Sequence, residues 1–366
     1  MRKSLLYYRT HETHRGEKCH RRYLRSELHK KKLRRWLSEG GKKAQEIKKA
    51  QDHEKRRFFD YIHIKAPGQF SFVENEKETL KFINEIRTNY SKRRKVYINL
   101  KHVKYVTTDA LLLLLSNMYR FRTKNIDFNG NYPNDPIVRR QVKDSGFFKK
   151  LYDTLPRSQS YNIVGNNTFH THANTVGDPV LADKIIKKLS KDIWGEEKRC
   201  MGVQRVILEL MQNTNNHAGE LKGEKHWWMS SSYDKDKNEA SISFIDFGKG
   251  IFRSLDNKKP GEKFYGWRQS FLNLFPWADT DEKRFKEILQ GGLYNNAPTT
   301  STNLYYRGKG LPGIYKAHSN KALSSLFIIS NHVFADVDNN RYHLLNDEFL
   351  GTFVSWKINI NSVNIK

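Results

Sequence analysis

The stretch Val206–Ala218 reads VILELMQNTNNHA, and it restricts the fold more than any other part of the chain. Wound at about 100° per residue, Val203, Val206, Ile207, Leu210, Met211 and Thr214 fall on one broad face. Glu209, Asn213 and Asn216 fall on a narrow stripe beside it. The apolar face has to be buried against a sheet or other helices. The stripe carries a carboxylate and amides one turn apart. Its plain reading is a solvated flank. The other reading is a helix at the rim of a core, presenting an acid and amides to one spot.

Composition bounds what that core belongs to. The chain has 366 residues, enough for two domains of ordinary size, and 37% hydrophobic with 13% aromatic residues can build cores. A formal net charge of +27 favours an anionic partner: nucleic acid, a nucleotide or a membrane surface. Two cysteines, Cys19 and Cys200, make no disulfide framework and point to a reducing compartment. The Leu111–Leu115 run is far too short to span a bilayer. The basic N-terminus has neither an apolar core region nor a cleavage signal. The expectation is a soluble cytoplasmic protein with no membrane partner.

Residues 1–57 hold 20 Lys/Arg against 7 Asp/Glu and read as a basic helical extension, split at Gly40-Gly41. Two readings stay open. One is a solvated arm. The other is a nucleic-acid-binding arm, with Lys and Arg displacing counterions from phosphates and Tyr7, Tyr8, Tyr23 and Trp36 available for stacking. The same aromatics suit docking of the arm on the body. His11, His14, Cys19 and His20 are zinc-type ligands, but at a spacing that no common finger uses.

Residues 58–157 alternate strand and helix. YIHIKAPGQFSF is strand-like around the Pro67-Gly68 turn, and ENEKETLKFINEIRTNY has helical period with Leu80, Ile83 and Ile86 on one side. KVYINLKHVKYV predicts a buried strand and a turn. TTDALLLLLSNMYRF opens a helix, with Thr107 or Thr108 expected as capping hydroxyls. NIDFNGNYPNDP predicts a short strand, and IVRRQVKDSGFFKKL one last amphipathic helix. This order, and INLKHVKYVTTDALLLLL above all, resembles a STAS domain, the fold of anti-sigma-factor antagonists. The family's regulated members are phosphorylated on a serine in the turn that here reads Thr107-Thr108-Asp109-Ala110-Leu111. Asp109 stands where that serine would be and Ala110 where a glycine would be, so the family's phosphosite is not carried over; Thr107 or Thr108 stays open as a phosphate acceptor beside the expected capping role.

In 158–366 a helix is expected from Asp178-Pro179 through VLADKIIKKLSKDIWG. In ASISFIDFGKGI, Ile242, Phe244 and Asp246 alternate as in a strand, which breaks at Gly248-Lys249-Gly250. An acid at the end of a buried strand, followed by glycines, makes a polar pocket floor with close backbone access. Alone, it also reads as a strand-end turn. In TTSTNLYYRGKGLPGIYKAH, Gly308, Gly310 and Gly313 lie where a loop meets a helix, a place where backbone N–H groups approach phosphates.

Taken in this order, the three motifs resemble the GHKL ATPase fold shared by gyrase, heat-shock chaperones, histidine kinases and mismatch-repair ATPases. Glu209 and Asn213 match its E-x-x-x-N helix, Asp246, Gly248 and Gly250 its D-x-G-x-G box, and Gly308, Gly310 and Leu311 its second glycine box. Gly351-Thr352 matches the Gly-Thr near the nucleotide, and His217 a position often histidine or aromatic. The resemblance implies a Mg²⁺–ATP site. Asp246 would accept a hydrogen bond from the adenine amino group, supported by Thr352. Asn213 would hold Mg²⁺. The Gly308–Gly313 loop would wrap the phosphates, with Arg307, Lys309 or Lys249 adding charge. Glu209 would be the general base. Asn216 and His217 would line the nucleotide side of the same helix.

The residues between the glycine boxes include FYGWRQSFLNLFPWADTDEKRFKEILQGG, expected as a long, partly helical, aromatic ATP lid that doubles as a docking surface. The expected fold class is therefore α/β (α+β). It comprises a basic helical arm over 1–57, a STAS-like sheet-and-helix domain over 58–157 and a GHKL α/β-sandwich ATP-binding domain over 158–366. The expected function is a Mg²⁺-dependent ATPase whose nucleotide state regulates a protein partner, met through the STAS-like domain or the lid, or nucleic acid. The alternatives are an anti-sigma-type serine/threonine kinase with a fused STAS module, and a nucleotide-binding scaffold with little turnover. The arm generates a direct test. Nucleic-acid affinity should fall steeply with salt and fall again on deletion of residues 1–57, read by filter binding across a salt series. Unchanged affinity after the deletion rules the nucleic-acid arm out.

Overall fold

The computed structural model describes residues 16, 18, 22, 24–28, 30, 58–152, 167–172, 178–217, 227–262, 264–295 and 310–362. The His11/His14/Cys19/His20 cluster and the Gly40-Gly41 split lie outside them. Residues 24–28 are helical, and Glu27 lies 3.6 Å from Lys143, so this part of the basic extension touches the body.

The protein is mixed α/β, with a three-stranded and a two-stranded parallel sheet and one five-stranded antiparallel sheet among the described residues. Strands β1 (Ile62–Lys65), β3 (Val96–Asn99) and β5 (Phe128–Gly130) pair in parallel, in that order. Short β2 (Gln69–Phe70) and β4 (Tyr105–Val106) pair beside them. Parallel neighbours need crossover helices. These are α1 (Glu76–Ser91) and α2 (Thr108–Thr123).

The helix α1 buries Leu80, Phe82, Ile83 and Ile86 along one side. By contrast, α2 is buried nearly all round, every residue from Asp109 to Tyr119 included. A helix that is apolar on every side needs a layer on each side. Here the second layer is the antiparallel sheet. Tyr119 meets Trp228 edge-on at 5.0 Å, and Phe72 packs on Phe353 and Phe349 at 4.9 and 5.3 Å.

Two sequence expectations change in this region. Thr107 occupies the N-cap position of α2, but its hydroxyl makes no capping bond and lies 3.5 Å from the Phe70 carbonyl. Asp109 holds that turn instead: its Oδ2 accepts from the Phe72 amide at 2.8 Å. The expected single helix over 137–151 is two, α3 (Pro136–Asp144) and α4 (Phe147–Tyr152). Gly146, at φ 76°, breaks it, and the Ser145 hydroxyl accepts from the Phe147 amide.

The antiparallel sheet runs β6-β7-β8-β10-β9: β6 (Asn167–His172), β7 (Trp227–Asp234), β8 (Glu239–Asp246), β9 (Ser324–Asp336) and β10 (Arg341–Asn359). Strand alternation gives it two buried faces. Ala240, Ile242, Phe244, Val354 and Trp356 face one core. Trp228, Ile245, Ile329 and Phe353 join the core of α1 and α2.

The first of these cores is completed by helices. Asp178 caps α5 (Pro179–Trp194) through the Leu181 amide, and Gly195 closes it at φ 78°. Beside it lies α6 (Met201–His217). After β8 come α7 (Ile251–Asp256), α8 (Trp267–Leu274), α9 (Asp281–Leu289), α10 (Gly292–Asn295) and α11 (Gly310–Ser319). This stretch is partly helical, as expected; Trp267, Phe271 and Phe285 are fully buried in the core, while Tyr265, Leu274 and Trp277 are exposed. Arg268 ties it together, donating to Asp256 at 2.8 Å and to Asp281 at 2.6 Å.

Phe353 sits where the two layers share a core and is fully buried. Phe353→Ala is expected to cost about 3–5 kcal/mol in chemical denaturation. It should also speed amide exchange in α2, which a purely local effect on β10 would leave alone.

Candidate functional site

The site is built around the end of β8. Asp246 pairs in register with Trp227 on one side and Thr352 on the other. Alternation puts it on the face of Ile242 and Phe244, toward the helices. The carboxylate is buried and accepts from the Gly248 amide at 2.8 Å. Burial pushes its pKa up to about 6, against hydrogen bonds from Gly248 and Thr352 that favour the ionised form.

The glycines around it have different jobs. Gly351 has φ 118°, and a side chain there would run into the Asp246 carbonyl. Gly250 has φ 76°, and a Cβ would lie 2.5 Å from the Asn331 amide oxygen. Gly248 contributes its amide to Asp246. Thr352 is within 3.4 Å of the Ser330 hydroxyl, which also donates to the Gly351 carbonyl at 3.0 Å and accepts from the Ile251 amide at 2.9 Å.

Asn331 completes the loop. Its Oδ1 accepts from the Phe252 amide at 3.0 Å, and its Nδ2 donates to the Lys249 carbonyl at 2.9 Å and to Glu348 Oε1 at 3.1 Å. It thereby caps α7 from a neighbouring strand. Ser330, Asn331 and Glu348 were not among the sequence candidates. The signal for the first two was present: a Ser-Asn pair interrupting the apolar strand SSLFIISNHVF.

A second cluster joins α6 to α11. A Cβ at Gly310 would lie 2.7 Å from the Asn213 side-chain nitrogen, so the helix start rests directly on that amide. Among the described residues no hydrogen bond to the Asn213 carboxamide is found. Glu209, one turn earlier, is largely shielded and has Arg205 Nε 3.8 Å away. Leu311 is buried in the helical core with Met211 and Phe252, which links the two clusters. Gly313 lies in α11 with nothing near a Cβ, so no close approach explains it.

The backbone at Asn216 and His217 is the last turn of α6, while their side chains, and Arg307, Gly308 and Lys309, lie outside the described residues. An open cleft of about 400 Å³ lined by Gly68, Gln69, Glu74, Lys104 and Tyr105 sits on the parallel-sheet side and shares none of these residues. Among the described residues there is no group of three or more metal-ligating His, Cys, Asp or Glu side chains, and no helix long and apolar enough to cross a membrane. No family model, curated protein or solved structure matches the chain.

The two glycine environments give a paired test. Gly351→Ala should cost at least about 2–3 kcal/mol, because it combines a disfavoured φ with a backbone collision. Gly313→Ala should be neutral or stabilising by up to about 1 kcal/mol. Thermal melts followed by circular dichroism separate the two.

Proposed function

We propose that residues 158–366 form a GHKL-type ATP-binding domain, fused to a STAS-like module over 58–157 and acting as a Mg²⁺-dependent ATPase. The observation that carries this reading is Asp246: a buried carboxylate at a strand end, bonded to Gly248 and Thr352, with Gly351 pressed against its own carbonyl. An acceptor fixed in that way suits an exocyclic amine. Hydrogen bonds aimed at a site built to use them discriminate strongly against ligands that lack the group.

The chain's own residues supply the rest. Asn213 offers a neutral oxygen, the donor type a hard cation takes, and Mg²⁺ held there would neutralise phosphate charge. The N-terminus of α11, resting on Asn213, points amides toward an anion. Glu209 takes the proton from the attacking water, on the same helix as Asn213. The kinase alternative keeps one support, the pairing of module types. Asp109 counts against the STAS-like turn as its acceptor, since it is buried and engaged with Phe72.

Incubation with γ-labelled ATP separates the readings: free phosphate supports the ATPase, label on protein the kinase, and bound but intact nucleotide the scaffold. Glu209→Ala should lower turnover by about 10²–10⁴-fold and retain binding. Asp246→Asn should lose binding. Because the Asp246 pKa is raised in the folded state, its ionised form costs stability above pH 6, so Asp246→Asn should melt no lower than wild type at pH 7.5. Wild-type affinity should decline as the pH falls through about 6, measured by calorimetry. Wild-type nucleotide affinity in Asp246→Asn overturns the site.

A further inference from the structure

The Asp246–Gly250 loop is supported from outside its own sheet. Phe247, between Asp246 and Gly248, packs against the core shared with α1 and α2. The guanidinium carbons of Arg87 (α1) and Arg120 (α2) lie 5.4 and 5.8 Å from its ring centroid. Arg120 also stacks on Tyr90 at 4.7 Å. Burial, then the neighbouring Arg120 charge, brings Arg87 down to about 10, with Glu348 opposing. Two like charges are thus held around one ring, against their repulsion.

A hydrogen-bonded path runs alongside. Asn84 of α1 donates to the Glu348 carbonyl at 3.1 Å, and Arg87 Nη1 lies 3.5 Å from the Leu350 carbonyl. The Glu348 side chain accepts from Asn331 and pairs with Arg253 of α7. Asn331 in turn holds the Lys249 carbonyl and the Phe252 amide. The register of β10 with β9 slips twice between Leu344 and Thr352, and once more between Ser355 and Lys357. The irregular segment between Leu344 and Thr352 is therefore gripped by α1 on one side and by the glycine loop on the other.

We propose that Asn84, Arg87 and Arg120 are positioning residues, through which α1 and α2 set the geometry of the Asp246–Gly250 loop and so the nucleotide affinity. The link to affinity rests on the reading of this loop as part of an ATP site. Coupling of this kind is reciprocal: whatever shifts α1 and α2 changes nucleotide binding, and nucleotide changes how tightly those helices are held.

The test uses the full chain with Asn84→Ala, Arg120→Gln and Arg87→Lys; the last keeps the charge but loses the planar stack. Hydrogen exchange is followed over peptides spanning 247–253 without nucleotide, and Mg²⁺–ATP affinity by calorimetry. The expected result is exchange at the Ile251–Arg253 amides faster by about tenfold, with β7 and β8 unchanged, and affinity weaker by about 5–30-fold. Unchanged loop exchange in all three variants overturns the proposal, as does faster exchange throughout the sheet, which marks a general loss of structure. Faster loop exchange with unaltered affinity overturns the link to nucleotide. Faster loop exchange in a wild-type background that binds no Mg²⁺–ATP keeps the positioning role and removes the ATP reading instead.

Discussion

The burial of α2 between two sheets is the constraint on which the rest of the structure depends. Five consecutive leucines, Leu111–Leu115, point in every direction around that helix, and all are buried. Each is worth about 1.5–3 kcal/mol relative to exposure, so neither sheet alone can satisfy the helix. The parallel sheet takes one side, and Trp228, Ile245, Ile329 and Phe353 of the antiparallel sheet take the other. Around β7, β8 and the second half of β10, that sheet consequently has both faces covered. Its two strand alternations serve two different cores.

The candidate site inherits its order from this arrangement. Asp246 ends a strand whose inner residues are locked on both faces, and its carboxylate is buried with bonds to Gly248 and Thr352. Those bonds do not fully offset desolvation, which is why its pKa rises to about 6. A group held in this state is a strong acceptor that costs stability. The surrounding Ser330, Asn331 and Glu348 network spends its hydrogen bonds on holding the glycine loop in place.

Much of the local structure was legible because its causes are local. The caps of α5, Asp178 before Pro179 and Gly195 after Trp194, mark its ends, and Leu80, Ile83 and Ile86 mark the buried side of α1. Strand β8 is visible in its alternation up to Asp246. Other features depend on distant partners and were not legible. Thr107 makes no capping bond, and the Asp109 carboxylate beside it is taken by the Phe72 amide, 37 residues earlier in the chain. The break at Gly146 is local instead: its φ of 76° ends the helix after Asp135, and the Ser145 hydroxyl bonds the Val142 carbonyl and the Phe147 amide on either side of it. The burial of Trp267 and Phe285 depends on a core built from helices and strands far away in the sequence.

The sequence by itself determined the chemistry on offer: an acid and an amide one turn apart on a helix, an aspartate closing an apolar strand, and glycines where the backbone has to turn. These follow from residue type and short spacing, which the chain carries wherever it folds. Only the tertiary structure decided which of them meet. Asn213 rests against Gly310 across about 100 residues, and Asp246 lies between Trp227 and Thr352 in the sheet. Arg87 and Arg120 close on Phe247 from another sheet's helices. Such encounters are set by how two layers share the burial of one helix, and that is a property of packing, which no single stretch of sequence contains.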